Sequence, residues 1–309
     1  MKRNAGSNPT KLTLGTVQLG LQYGIRNRNG MPSEESSFEL LREAWEGGVV
    51  SYDTASAYGK SESLLGDFFA NKDPLIVTKI HLHPEPGSSR EQIERTMRES
   101  IESSLLRLRL SAIPVLMLHN TDVMKDWGEQ ITAAFRTMLR EGIIGQAGIS
   151  VSHNTQEEYG ALWKYLKDET YETVQIPMNL LDHRPVLNGC LGMLSEAGKT
   201  VYVRSVFLQG LFYMKEEELP AGLQDAREPI AALRELSEAY AFPLAQMAVS
   251  FIRDMEGVHS LVIGAETKEQ VRENIALIGG PPLPDRLRAD IMTRFRSVPE
   301  KIITPNRWK

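Results

Sequence analysis

Short apolar segments rich in Val, Ile and Leu recur along the chain and alternate with longer amphipathic stretches. Their apolar character is continuous rather than alternating, which is typical of strands buried on both faces of a parallel sheet. Most intervals have the length of a βαβ unit, roughly 30 residues or more. The predicted strands are Leu12–Leu19, Val49–Thr54, Leu75–Ile80, Ile113–His119, Ile143–Ser150, Thr173–Asn179, Thr200–Val206 and His259–Ala265. Such a series predicts an α/β fold, a (β/α)8 TIM barrel.

The intervening segments carry helix signals. Ser33 precedes Glu34 and Glu35, which places a cap and first-turn carboxylates at a helix start. Gln92–Leu108 carries apolar residues at helical spacing, a pattern more typical of core packing than of cofactor contacts. We interpret residues 1–309 as a single barrel domain.

Three features depart from a minimal barrel. A long loop, Phe207–Arg227, follows the seventh strand, and loops of this length often cover a binding site. Two extra C-terminal helical segments, Thr267–Ile278 and Leu283–Phe295, follow the last strand. The tail Val298–Lys309 shows no periodic pattern.

Charge and cysteine content limit the function classes. The chain has 35 Lys and Arg against 40 Asp and Glu, a net charge of -5, and no long basic block. This balance disfavours nucleic acid or an anionic membrane as partner and favours a small-molecule substrate. Cys190 is the only cysteine, which excludes an intramolecular disulfide and any multi-cysteine metal site. The N-terminus is polar and no apolar run reaches about 18 residues, so we expect a cytoplasmic protein. Its oligomeric state stays open.

Four polar residues lie at or just beyond the carboxyl ends of predicted strands two, three and four. They are Asp53, Tyr58, Lys79 and His119. The carboxyl ends of barrel strands meet at one mouth, so these side chains can share a pocket. A Lys cation about 4 Å from a phenol, at an effective dielectric near 20, would lower the pKa of that phenol by roughly three units. Asp53 would align Lys79, and His119 would donate to a substrate oxygen, which makes a site able to protonate a developing alkoxide.

Each of these residues also has a structural interpretation as an ion pair, a loop contact or an interior histidine. A second candidate site lies after the eighth strand, where Thr267–Gln270 forms a capping box that opens a helix able to bind phosphate or simply to pack. His81 and His83 have spacing suited to a metal, but with no third ligand apparent we predict no metal site. Further candidates for the substrate pocket are Tyr23, Trp127 and Trp308.

These residues together resemble the aldo-keto reductases, a resemblance that runs in order through essentially the whole chain. The Asp, Tyr, Lys and His tetrad of that family is matched by Tyr52-Asp53-Thr54-Ala55, Tyr58-Gly59, Val77-Thr78-Lys79 and Leu118-His119. The flanking signatures are Gly148-Ile149-Ser150, Gln175-Ile176-Pro177 and Val262-Ile263-Gly264-Ala265.

The resemblance implies an NAD(P)H-dependent oxidoreductase that reduces an aldehyde or ketone to an alcohol. Tyr58 would be the proton donor, tuned by Lys79 and Asp53, and His119 would orient the carbonyl. The nicotinamide cofactor would lie across the barrel mouth, and the sequence lacks the G-x-G-x-x-G fingerprint of the other dinucleotide-binding fold. The residues implied for cofactor binding are Gly15, Thr16, Gln18, Asp53, Ser150, Gln175, Arg204, Ser205, Phe207, Gly210, Ile263, Gly264, Ala265, Glu266, Gln270, Glu273 and Asn274.

Several positions depart from the family pattern. Val151 stands where many members have an Asn for the cofactor carboxamide, and Arg204 stands where many have an aromatic ring that stacks on the nicotinamide. Glu266 occupies a place where members often have an Arg for the 2′-phosphate of NADP, although Lys268 or Arg272 could compensate. The resemblance therefore favours NADP (NADPH) over NAD, and these residues weaken that preference.

Two other function classes remain open from the sequence. One is a cofactor-binding sensor or regulatory subunit with little turnover, for which Arg204 and Val151 leave room. The other is a barrel hydrolase or isomerase that uses Asp53 with another carboxylate. Binding of a nicotinamide cofactor distinguishes the hydrolase or isomerase from both the reductase and the sensor.

Overall fold

The computed structural model describes residues 10–27 and 30–308. The predicted domain of residues 1–309 also includes 1–9, 28–29 and 309, which lie outside the described residues. Eight parallel strands form a closed barrel in the order β1 to β8, which confirms the predicted fold class. The strands are β1 Leu12–Gly15, β2 Ser51–Asp53, β3 Leu75–Ile80, β4 Ile113–Leu118, β5 Ile144–Ser150, β6 Tyr171–Pro177, β7 Thr200–Arg204 and β8 Ser260–Gly264.

Helices cover the outside of the barrel and continue beyond β8. They are α1 Val17–Gly20, α2 Glu34–Glu46, α3 Ser61–Phe69, α4 Arg90–Leu108, α5 Met124–Arg140, α6 Gln156–Lys167, α7 Arg184–Leu187, α8 Cys190–Glu196, α9 Arg227–Ala239, α10 Leu244–Arg253, α11 Lys268–Ile278, α12 Asp285–Arg294 and α13 Glu300–Ile303. The Ser33 side chain caps α2 by accepting from the Ser36 backbone, as its sequence predicts.

The prediction that the first strand reaches Leu19 was wrong. The chain leaves the sheet after Gly15, and the backbone N–H groups of Leu19 and Leu21 bond to the carbonyls of Thr16 and Val17 in a single helical turn. This turn packs closely on the loop after β2. A β-carbon on Gly20 would lie 1.8 Å from the Tyr58 carbonyl oxygen, so only glycine permits the contact.

The core has two parts. Inside the barrel, Val77, Val115, Met117 and Tyr202 form a small apolar cluster. A much larger cluster lies between the strands and the surrounding helices, and it leaves the carboxyl ends of the strands as the polar end of the barrel. Cys190 is buried and free, and burial raises the pKa of its thiol to about 11, so the thiol is inert.

The segment after β7 and the C-terminal tail contain more local structure than their patterns indicate. The long loop includes three 3₁₀ segments, Leu208–Tyr213, Glu216–Glu218 and Ala221–Ala226. The tail, predicted to be irregular, forms α13 and a further 3₁₀ turn. Ile302 and Ile303 anchor it in the core, because each buries its side chain.

Over the described ranges, no helix combines the length and the apolar character that a membrane crossing requires.

Candidate active site

A buried ion pair lies at the carboxyl ends of β2 and β3. Lys79 Nζ is 2.6 Å from Asp53 Oδ1 and 2.7 Å from Oδ2, and it also donates to the Thr54 carbonyl at 3.0 Å. The register that pairs Asp53 with Val77 places Lys79 one pleat further along β3 on the same face. Gln175, from β6 across the barrel, donates to Asp53 Oδ2 at 2.8 Å. The carboxylate therefore faces two donors in a region closed to water.

Tyr58 and His119 lie beside this pair. Tyr58 is held by its backbone N–H, which bonds to the Ala55 carbonyl at 3.0 Å, and by the close contact of its carbonyl with Gly20. Its ring centroid is 5.3 Å from Lys79 Nζ and 5.7 Å from the His119 ring, which meets it edge-on. The structure thus brings the four predicted residues of the tetrad together at one end of the barrel.

The direction predicted for the pKa of Tyr58 was wrong. Burial, followed by the Asp53 charge, raises this pKa well above its ordinary value of 10.0, and Arg204 opposes the rise only in part. The prediction allowed Asp53 to cancel only part of the Lys79 field and did not include burial of the phenol. In the structure Asp53 lies at 2.6 Å from Lys79 and cancels most of its field, so desolvation decides the direction. The phenol is protonated at neutral pH.

His119 is a neutral imidazole. Burial is the main cause that lowers its pKa to about 2, and Lys79 adds to the effect. Its Nδ1 atom is buried without a hydrogen-bond partner among the described residues. The His119 ring also lines a cavity above the tetrad, where it can meet a substrate oxygen.

A cavity of about 1330 Å³ opens above the tetrad, at the carboxyl ends of the strands. Its volume is sufficient for a dinucleotide together with a small substrate. The residues of the predicted cofactor set that line it are Gly15, Thr16, Gln18, Asp53, Arg204, Ser205, Phe207, Gly210, Ile263, Gly264, Glu266, Gln270, Glu273 and Asn274. The remaining three, Ser150, Gln175 and Ala265, are buried and do not line it.

Ser150 and Gln175 lie at the base of the site and bond to each other. The Ser150 hydroxyl donates to Gln175 Oε1 at 3.3 Å, and the Gln175 amide donates to Asp53. Both the amide oxygen and the amide nitrogen of Gln175 therefore have protein partners, and this side chain holds the Asp53 carboxylate in place.

Arg204 ends β7 and reaches the cavity. Its guanidinium donates to the carbonyls of Val151 and Ser152, each at 3.0 Å, and to the Ser205 hydroxyl at 3.2 Å. Ser205 adopts a positive φ of 65°, so the chain turns sharply directly after the arginine. Arg204 thus has a fixed position at the mouth of the site rather than a mobile one.

The other end of the cavity is formed by the start of α11. Thr267 caps the helix, and Gln270 Oε1 accepts from the Glu266 backbone at 2.7 Å. Lys268 and Arg272 are both engaged by carboxylates of α2, at 2.8 Å from Glu39 and 2.6 Å from Glu43. A second cavity of about 300 Å³ lies beside Lys268 and Glu39.

Sequence reasoning missed several residues of the cavity wall. Arg26 lies 5.8 Å from the Tyr213 ring and packs on Gly210, so it faces the cavity from the loop after α1. The tail contributes residues 304–306 to the wall. No local sequence signal marks these residues, because their placement depends on how distant loops pack.

Of the three aromatic candidates for the pocket, Tyr23 lines the cavity. The Trp308 indole instead donates to the Lys301 and Ile302 carbonyls, and Trp127 packs against the helical core. His81 stacks on His83 and contacts His119. Within the described part of the chain, no group of three or more His, Cys, Asp or Glu side chains is arranged to hold a metal ion.

The model of the aldo/keto reductase family matches residues 11–291. The chain belongs to the aldo-keto reductase family. This membership supports an oxidoreductase activity, and the family uses nicotinamide cofactors.

Known proteins are similar to this chain over nearly its whole length. An uncharacterized oxidoreductase, YqkF of Bacillus subtilis strain 168, is 26% identical over 285 residues, which cover 86% of this reductase and 90% of YqkF. The holo form of aldo-keto reductase AKR11C1 from Bacillus halodurans superposes with a TM-score of 0.72 at 24% identity, covering 92% and 91% of the two chains. Glycerol dehydrogenase AKR11B4 from Gluconobacter oxydans superposes with a TM-score of 0.73 at 20% identity, covering 96% of each chain.

Proposed function

We propose that this aldo-keto reductase reduces an aldehyde or ketone to an alcohol with a nicotinamide cofactor. The observation that carries the proposal is the convergence of Tyr58, His119 and the Asp53–Lys79 pair on one polar end of a large cavity. A hydrolase or isomerase acting through Asp53 is less well supported, because that carboxylate is fully engaged by Lys79 and Gln175.

In this proposal, Tyr58 donates the proton. Its raised pKa keeps the phenol protonated in the resting site, as a proton donor requires. Asp53 fixes the position of Lys79 beside the phenol, and the Arg204 charge, which opposes the rise in the Tyr58 pKa, favours the phenolate left after transfer. The neutral His119 donates a hydrogen bond to the carbonyl oxygen and orients it. The cofactor, when bound, supplies the hydride.

The cavity suits a dinucleotide in size and in the placement of its polar groups. Gln18 Oε1 is buried without a partner among the described residues, and the Gln18 amide lies directly over Gly264. At the far end, the capped start of α11 presents backbone N–H groups to an anionic group. Gln270, Glu273 and Asn274 would surround the adenosine part.

We propose NADPH rather than NADH as the preferred cofactor, on the basis of the family and of two cations near the start of α11. Lys268 and Arg272 would hold the 2′-phosphate, in competition with the carboxylates of Glu39 and Glu43. Glu266, which lines the cavity, would oppose that phosphate.

The substrate half of the cavity is polar, which favours a small hydroxylated carbonyl compound as substrate. Its wall over β3 to β5 includes His81, Asp122, Lys125 and His153, with few apolar side chains. Hydrogen-bonding groups in a substrate site favour substrates that satisfy them over apolar analogues of the same size. The structurally similar AKR11B4 is named for glycerol, which is a polyol.

We also propose a cytoplasmic location.

Calorimetric titration with NADPH and NADH, followed by a carbonyl panel with the cofactor that binds, tests the proposal. We expect micromolar or tighter binding and cofactor oxidation with hydroxyaldehydes exceeding that with alkyl aldehydes of equal length. Binding of neither cofactor would refute the reductase assignment. Binding without turnover on the whole panel would instead support a sensor.

A further inference from the structure

Arg204 places a positive charge in the reaction site. The Lys79–Asp53 pair at the base of the site is neutral overall and does not neutralise this charge. Among the described residues, the acceptors of the Arg204 hydrogen bonds are three uncharged oxygens, two backbone carbonyls and the Ser205 hydroxyl. Lys79, by contrast, has its charge cancelled by Asp53 at 2.6 Å. Arg204 therefore supplies a net cation at the mouth of the site.

The field of this cation reaches the catalytic groups. The Arg204 charge lowers the pKa of Tyr58, opposing burial and Asp53, and it also contributes to the lowered pKa values of His119 and Lys79. It acts on Tyr23 in the same wall. Because the guanidinium is partly buried, salt and water screen it less than a surface charge.

A nicotinamide ring must lie in this field if the proposed function is correct. Hydride transfer requires the reacting carbons to approach within about 3–3.5 Å, and Tyr58 and His119 determine where the carbonyl lies. The ring would therefore lie beside Tyr58 and His119, and Arg204 lines the same cavity with a charge that acts on both of these residues. The oxidised ring is a cation and the reduced ring is neutral, so only the oxidised ring is repelled.

We propose that Arg204 makes the site discriminate between the redox states of its cofactor, weakening binding of the oxidised form relative to the reduced form. This inference rests on the proposed function. Its consequence is that the oxidised product is released readily and inhibits weakly, which biases the enzyme toward carbonyl reduction. The role is one of charge and not of shape.

The test measures dissociation constants of NADPH and NADP⁺ by calorimetry for the wild type, Arg204→Gln and Arg204→Lys, with the NADH and NAD⁺ pair alongside. The measured quantity is the Kd of the oxidised form divided by that of the reduced form. A unit charge in the same cavity as the ring, discounted for the open side of that cavity, predicts that Arg204→Gln lowers this ratio by about tenfold. Arg204→Lys keeps the charge, so its ratio stays within about threefold of the wild type.

Arg26→Gln is the matched control. Arg26 also lines the cavity, but it packs on Gly210 and Tyr213, and its charge acts on Glu266 rather than on the tetrad. We expect it to change the affinity for both redox forms equally and to leave the ratio unaltered. An Arg204→Gln ratio equal to that of the wild type, with both forms still bound, overturns the proposal and leaves the reductase assignment intact. Failure of the wild type to bind either form overturns both.

Discussion

The buried pair of Lys79 and Asp53 permits a comparison with a surface pair of nearly the same bond length and very different burial. Lys79 lies 2.6 Å from Asp53, with side-chain exposures of 1% and 5%. Lys164 lies 2.7 Å from Glu129 on the surface, with exposures of 63% and 74%. Replacing either lysine by methionine removes one charge and keeps most of the side-chain volume.

The two substitutions differ strongly in their expected effect on stability. Lys79→Met leaves the Asp53 carboxylate buried with Gln175 as its remaining side-chain donor, and breaking a buried pair in this way costs about 3–5 kcal/mol. For a chain of 309 residues, that loss lowers Tm by roughly 5–8 °C. Lys164→Met should cost much less than Lys79→Met, because an exposed pair is screened by water.

Thermal and urea unfolding of both variants, followed by circular dichroism, measure the difference. The double variant Asp53→Asn/Lys79→Met removes both charges and should recover part of the lost stability, since no unpaired charge remains. Equal stability losses in Lys79→Met and Lys164→Met would refute the reasoning. They would mean that water reaches the base of the site.

Three further predictions concern charge in the cavity. The pKa of His119 is about 2 in the folded protein and near 6.5 in the unfolded chain, so the contribution of its neutral form to stability is complete above pH 6.5 and is lost as the pH falls. In urea unfolding, the free energy of unfolding of His119→Asn should therefore fall by about 2–3 kcal/mol less than that of the wild type between pH 6.5 and 4.5. The raised pKa of Tyr58 keeps the phenol protonated, so kcat/KM for carbonyl reduction should not decline until the pH exceeds about 10, and a decline centred near pH 7 would contradict the assignment. Neutralising Glu39 frees Lys268, so Glu39→Gln should improve NADPH affinity relative to NADH by about threefold in direct titration, and an unchanged ratio would place the 2′-phosphate elsewhere.

The barrel could be predicted from the sequence because each buried parallel strand leaves its own apolar segment. β3 coincides with its predicted segment, and the other strands begin or end within a few residues of theirs. The exception at β1 has a local cause. Val17 and Leu19 continue the apolar run, but they belong to a helical turn, and apolar character alone does not distinguish the two structures.

The tetrad could be predicted because parallel strands bring their carboxyl ends together, so positions near the ends of β2, β3 and β4 already imply proximity. The electrostatics could not be predicted. Whether the pKa of Tyr58 lies above or below its ordinary value depends on burial of the phenol and on the 2.6 Å contact between Lys79 and Asp53. Likewise, the pairing of Lys268 with Glu39 joins residues 229 positions apart, and no local pattern reports it.

The substitution Tyr58→Phe tests the central claim most directly, because it removes one oxygen from the site and keeps the ring that packs against His119. The measurement is single-turnover oxidation of bound NADPH by a carbonyl substrate, together with the Kd for NADPH of the same variant. The proposed proton transfer predicts a rate lowered by about 10²- to 10⁴-fold with cofactor affinity changed by less than about threefold. A single-turnover rate close to that of the wild type would contradict the role of Tyr58 as the proton donor.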